Sequence, residues 1–175
     1  MPTALPQRLS SRAEAIRFLL DAYAGARVRP GKGLPHAQTV ADVLGDAGSD
    51  ETTQLAGLLH DVVEDTPRTV DDVRDVFGDE VCSMVTALTE DDGIERYADR
   101  KRGLREQIEA AGSPVVDIAV ADKVATLRHA VVTGTKISKR KLSHYRAVLA
   151  LGEAAGVDER LFGELEELLA EIARR

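Results

Sequence analysis

Apolar residues recur along this chain at intervals of three and four, the spacing of one helical face, and no segment shows the strict alternation of a half-buried strand. Ser11 with Glu14 has the pattern of a capping box, after which Ile16, Leu19, Leu20 and Tyr23 repeat at helical spacing until Gly25. Residues 27–35, RVRPGKGLP, hold three cations, two prolines and two glycines, and this composition predicts a loop. From Pro35, the positions His36, Val40, Val43, Leu44 and Ala47 share a face that ends at Gly48. Asp50 can cap a further helix whose Leu55, Leu58, Leu59, Val62 and Val63 form a stripe until Thr66-Pro67 ends it.

Beyond that point Thr69 with Asp72 opens a short helix closing at Phe77-Gly78, and a second begins at Asp79 and runs through Val81, Met84, Val85 and Leu88. Residues 90–98 are polar and read as a loop. DRKRGLREQIEAA then carries Leu104 and Ile108 on one side and many cations on the other, until Gly112-Ser113-Pro114 closes it. The segment from Val115, VVDIAVADKVATLRHAV, is apolar nearly all round, as expected of a central helix covered on several sides. Later helices are expected from about Ser138 to Leu151 and, capped by Asp158, from Glu159 to the end. The expected fold is therefore all-α, a compact bundle of many helices, and a length of 175 residues favours one domain over two.

Composition narrows the functional classes. The hydrophobic share of 43% suits a packed helical protein rather than a disordered one. A formal net charge of −7 disfavours binding to long polyanions, so no nucleic-acid polymer is expected as a partner, although a pocket can gather positive charge that the sum hides. Cys82 is the single cysteine and has no intrachain partner, no secretory leader is recognisable, and no apolar run is long enough for a membrane span. These features point to the cytosol.

The stretch LAGLLHDVVEDT, residues 55–66, sets an imidazole and three carboxylates among aliphatic side chains. Asp122 lies in the middle of the most apolar helix, where an unpaired carboxylate is costly. His36, His60, Asp61 and Asp122 come from three expected helices, and imidazole with carboxylate is a ligand set suited to Mn²⁺, Fe²⁺, Zn²⁺ or Mg²⁺. His36 alone reads more readily as a hydrogen-bonded core residue than as a ligand, and Glu64-Asp65 alone equally as a solvated helix end. Their conjunction with Asp122 favours a metal site.

The order His36, His60-Asp61, Asp122 resembles the metal-binding signature of the HD-domain phosphohydrolases. HDVVEDT, the following TVDDVRDVFGDEVCSMVTALTEDD, and VADKVATLRH further resemble the hydrolase domain of the RelA/SpoT alarmone enzymes, and most of all the stand-alone small alarmone hydrolases. The likeness runs from about His36 to Arg128. It implies one HD-type domain over residues 1–175, a single Mn²⁺ on His36, His60, Asp61 and Asp122, and catalytic assistance from Glu64 and Asp65. The implied reaction is hydrolysis of the 3′-pyrophosphate of (p)ppGpp to GDP or GTP and pyrophosphate, so the implied partner is a small nucleotide.

The resemblance also suggests substrate contacts from Arg27, Arg29 and Lys32 in the loop, from Arg100 and Lys101 in the second basic run, and from Lys123, Thr126 and Tyr145. Two departures bear on base recognition: the loop reads RVRPGKGLPHA rather than the family's Arg-Lys and Pro-Tyr pattern, and Thr126 stands where an Asn is common. A threonine can replace one hydrogen bond of that amide but not its paired donor and acceptor. The alternative readings are an HD phosphohydrolase acting on NADPH or another nucleotide phosphate, and a nucleotide-binding sensor without turnover. Oligomeric state is not written in these patterns.

Overall fold

A computed structural model describes residues 11–175, and every regular element among them is helical. The helices are α1 (Arg12–Ala22), α2 (Leu34–Asp46), α3 (Glu51–Leu59), α4 (Val62–Asp65), α5 (Val70–Leu88), α6 (Tyr97–Ala111), α7 (Ser113–Thr133), α8 (Lys139–Ala155) and α9 (Glu159–Arg174). Local chemistry accounts for their starts. Ser11, Asp50, Thr69, Ser138 and Asp158 each accept a backbone N–H with the side chain at an N-cap, and Thr69 with Asp72 completes a reciprocal capping box.

The apolar helix α7 is the axis of the molecule. It packs against α2, α3, α5, α6, α8 and α9, which is why Val116, Ile118, Val120, Val124 and Leu127 are all buried. Each fully buried aliphatic side chain of this kind contributes about 1.5–3 kcal/mol. Because Asp122 belongs to this helix, the fold carries a carboxylate into its core.

Two breaks differ in how legible they were. Residues 70–88 kink at Gly78, whose φ of 84° and ψ of 175° only glycine adopts readily, so the two expected helices meet there with little separation. By contrast, the helix expected from Asp50 to Thr66 is interrupted at His60-Asp61, with α3 ending at Leu59 and α4 beginning at Val62. Neither glycine nor proline marks that break. Asp61 sits at φ −95° and ψ −3°, a turn conformation open to most residues.

Candidate functional site

Three buried ligand-type residues meet at the seam of α2, α3 and α7. One donor atom from each of His36, His60 and Asp122 lies within 4.8 Å of the other two. His36 Nε2 is 2.9 Å from Asp122 Oδ1, and His60 Nε2 is 3.7 Å from the same oxygen. The histidine rings stand with centroids 5.4 Å apart. His36 reaches this point because α2 presents it one turn before Val40 on its buried face. His60 reaches it because α3 ends there.

The state of His60 tests whether a cation fits. Its Nδ1 lies 2.7 Å from the Gly57 carbonyl oxygen, so that nitrogen donates its proton and Nε2 is left with a lone pair. That Nε2 is buried and has no hydrogen-bond partner, although Asp61 Oδ1 lies 3.3 Å away and Asp122 Oδ1 beyond it. A lone pair facing carboxylate oxygens is repulsive unless a positive charge lies between them. Burial pushes the His60 pKa down, yet Asp61 and Asp122 outweigh burial and carry it up to about 10. A proton on Nε2 would meet this need without a metal, and when the ring is neutral its lone pair suits a divalent ion, with the imidazole fixed from behind by the Gly57 carbonyl.

Asp61 stands at the edge of the compact group. Its Oδ2 accepts from Lys32 Nζ at 2.5 Å, while Oδ1 faces His60. Lys32 is buried enough for its charge to be disfavoured, but Asp122 and Asp61 reverse that and raise its pKa. Asp122 is likewise held well below the usual carboxylate range against burial, chiefly by the Lys123 and Lys32 charges, and Lys123 pairs with its Oδ2.

This cluster opens onto a cleft of about 480 Å³ between the 29–32 loop, α4 and helices α6 to α8. Arg29, Lys32, His60, Asp61, Glu64, Asp65, Arg100, Lys101, Asp122, Lys123, Thr126 and Tyr145 all contribute to its lining. Arg27 does not, and is exposed at the foot of the loop. His36 lies behind the lining, reaching Asp122 from within the core.

The carboxylates of α4 occupy the rim. Glu64 Oε1 accepts the Glu90 backbone N–H at 2.7 Å, which fixes the side chain against the loop after α5. Enclosure in the wall raises the Glu64 pKa, and the Asp61 and Glu90 charges add to it over the opposing Glu90 N–H bond. Asp65 faces Arg29 at 3.7 Å. Arg100 and Lys101 both pair with Glu90, the arginine at 2.7 Å, so they are held at the cleft rather than extended into solvent. The neighbouring Arg102 is exposed and pairs with Asp99. Thr126 turns its hydroxyl to Asp122 Oδ1 at 3.4 Å, and the Tyr145 ring lies 5.5 Å from Lys123 Nζ.

Several lining residues are not singled out by sequence pattern. Glu90, Tyr97, His129, Lys141 and His144 enter the cleft from polar or helical contexts that looked like surface or core. His129 is three residues beyond Thr126 on the face of α7 that bears Asp122, a spacing that would have pointed to it. Its ring fills the space beside Gly31, where an added Cβ would come within 2.7 Å of it.

Comparison with known proteins adds to this geometry. A family model described as an HD domain matches residues 15–150. The chain belongs to the HD-domain family. The guanosine-3′,5′-bis(diphosphate) 3′-pyrophosphohydrolase MESH1 of Drosophila melanogaster is 33% identical over 123 residues, covering 69% of this chain and 68% of that protein. The bifunctional (p)ppGpp synthase/hydrolase SpoT of Escherichia coli strain K12 is 32% identical over 106 residues, which cover 59% of this chain and 15% of that much longer protein. Among solved structures, a metazoan ortholog of SpoT described as hydrolysing ppGpp superimposes with a TM-score of 0.77 at 26% identity, covering 97% of this chain and 98% of that one. The protein lmo0812 from Listeria monocytogenes EGD-e gives 0.70 at 29% identity, covering 80% of this chain and 99% of that one. The HD-domain family implies a divalent metal, and among the described residues His36, His60 and Asp122 form a cluster with the donors to hold it. Among the described residues no helix is long and apolar enough to cross a membrane.

Proposed function

We propose that this protein is a Mn²⁺-dependent (p)ppGpp 3′-pyrophosphohydrolase that cleaves the bond between the ribose 3′ oxygen and its diphosphate. The products are GDP or GTP and pyrophosphate. The observation that carries this reading is the unpartnered, lone-pair-bearing Nε2 of His60 beside Asp61 and Asp122, at the head of a cleft whose other walls bear cations. Similarity to hydrolases of this substrate along most of the chain supports the choice of nucleotide.

In this reading His36, His60 and Asp122, with Asp61 from the flank, would hold the metal. A bound divalent ion lowers the pKa of its water and stabilises charge on a phosphoryl oxygen. Glu64, with its pKa raised, is suited to accept a proton from the attacking water, because a base with a pKa nearer the working pH is more effective. Its bond to the Glu90 N–H keeps one oxygen engaged and the orientation fixed. Asp65 holds Arg29 at the mouth. Lys101, Lys123 and Arg100 supply positive charge for the diphosphate, and Tyr145 limits the width of the cleft beside Lys123.

A second reading, hydrolysis of NADPH or another nucleotide phosphate, is favoured by one observation. The Thr126 hydroxyl is directed to Asp122 rather than left free for a base. Incubation of Mn²⁺-loaded protein with ppGpp and, separately, NADPH, following pyrophosphate and phosphate release, decides between them. Pyrophosphate released from ppGpp in a metal-dependent manner is the expected result. Phosphate released from NADPH alone overturns it.

A further inference from the structure

His144, on the first turns of α8, has a role in neither the metal cluster nor the proton transfer described above. Its side chain is 4% exposed and lines the cleft between α6, α7 and α8. Arg105 NH1 lies 2.9 Å from its Nδ1. A guanidinium can only donate, so Nδ1 must be the acceptor nitrogen and the ring proton must sit on Nε2. That Nε2 is buried and has no hydrogen-bond partner. Arg105 stands on α6 outside the cleft lining, so the Nδ1 edge of the ring is engaged from α6 while the residue itself lines the cleft. Burial first, and then the charges of Lys123, Lys101 and Arg105, hold the ring's pKa down to about 3, so it stays neutral and keeps this tautomer.

A buried N–H without a protein acceptor is free to take one from a ligand or from an ordered water that a ligand displaces. The chemistry around it selects an anion, because Lys101, Lys123 and Lys141 line the same cavity. Position selects which part of the anion. From the metal cluster the order is Asp122, then Lys123 paired to it, then Tyr145 with its ring 5.5 Å from Lys123 Nζ, then His144 with its ring centroid 5.9 Å from that of Tyr145. These contacts connect His144 to the metal cluster only through Lys123 and Tyr145, so the acceptor it would meet is assigned to the second phosphoryl group and not to the one at the metal.

We infer that His144 Nε2–H, fixed as a donor by Arg105, binds the distal phosphoryl group of the 3′-diphosphate that is transferred to water, and so makes the site select a diphosphate over a monophosphate. This rests on the phosphohydrolase reading for its substrate, but the donor itself rests on the tautomer and the cation-lined wall. The attacked phosphorus and the bond broken are unchanged. His144 acts as a specificity-determining residue, since the group it holds leaves within the pyrophosphate.

The test is calorimetric titration of inorganic pyrophosphate, with orthophosphate as the comparison, into metal-loaded wild type, His144→Phe, His144→Gln and Arg105→Met proteins. A charge-assisted hydrogen bond corresponds to about tenfold to a hundredfold in affinity. The expected result is a loss of that order for pyrophosphate in His144→Phe, most of it restored in His144→Gln, whose amide N–H falls near the position of Nε2–H. Orthophosphate binding should be unchanged. Arg105→Met, which frees the tautomer without touching the ring, should show an intermediate loss and remains informative if the phenylalanine variant does not fold. Equal loss for both anions, or wild-type pyrophosphate binding in folded His144→Phe and Arg105→Met, overturns the inference. A protein that binds pyrophosphate through His144 but releases none from ppGpp would overturn the assigned reaction and leave this subsite standing.

Discussion

Glu64 shows how much a single side chain depends on its surroundings. It is three residues after Asp61, on the other side of the helix break, and the Glu90 N–H holds it at the wall. If it is the base, Glu64→Gln should lower kcat by about 10²–10⁴-fold while metal content stays at the wild-type level. Full activity with a glutamine there would remove it from the mechanism. A base works deprotonated, so activity is present above its pKa and is lost as pH falls through it. Because enclosure and the Asp61 and Glu90 charges raise this pKa, the acidic limb of kcat/KM should lie above the ordinary value of 4.5, and Glu90→Gln should move it to lower pH. An upward shift, or none, in the Glu90→Gln profile would contradict that origin. At this scale the sequence was informative where chemistry was out of place. Asp122 in an apolar helix and His60-Asp61 inside an aliphatic run were conspicuous, and the structure brings His36, His60 and Asp122 together. Glu90 and His144 were not, because a carboxylate in a polar loop and a histidine at helical spacing become notable only through partners on another element, Arg100 and Lys101 of α6 for one and Arg105 of α6 for the other.

The elements matter because each ligand depends on how two helices approach. Gly57 in α3 lies directly under Leu44 and Val40 of α2, and a Cβ there would overlap Leu44 Cδ1 while meeting Val40 Cγ1 at 3.4 Å. The same residue's carbonyl sets the His60 tautomer. Gly57→Ala should therefore push apart the helices that carry His36 and His60. Overpacking of this kind costs about 1–3 kcal/mol, offset by about 1 kcal/mol of helix propensity. The expected outcome is a lower melting temperature together with metal binding weakened several-fold, read by thermal denaturation and by metal titration. A variant unchanged in both would show that the contact is slack. Helix existence was legible throughout, since three-to-four periodicity and capping residues repeat from Ser11 to Asp158. The break at His60-Asp61 was not, because its residues continue the apolar stripe and no glycine or proline interrupts it. Yet this turn lets adjacent residues, which would diverge by about a hundred degrees on a continuous helix, both face the site.

For the molecule as a whole, the acidic net charge conceals how the charge is arranged. The formal sum is −7, but the cleft gathers Arg100, Lys101, Lys123 and Lys141 in its lining, and Lys123 reaches the end where His60, Asp61 and Asp122 lie by pairing with Asp122. The acidic end sits where α2, α3 and α7 converge, so an ion there would tie the central helix to two others. Such an ion binds the folded chain and has no preformed site in the unfolded one, so it stabilises by about 2.7 kcal/mol at a concentration of one hundred times its Kd. For a chain of this size that corresponds to a rise in Tm of about 5–10 °C. Adding Mn²⁺ to chelator-treated wild type should produce this shift. Asp122→Asn should abolish it, together with activity, because the carboxamide removes the charge that both histidines share. The asparagine variant also loses the partner of Lys123, so its metal-free Tm is the reference against which its response must be read. An equal rise in wild type and Asp122→Asn would place the ion elsewhere and separate the buried cluster from the metal requirement.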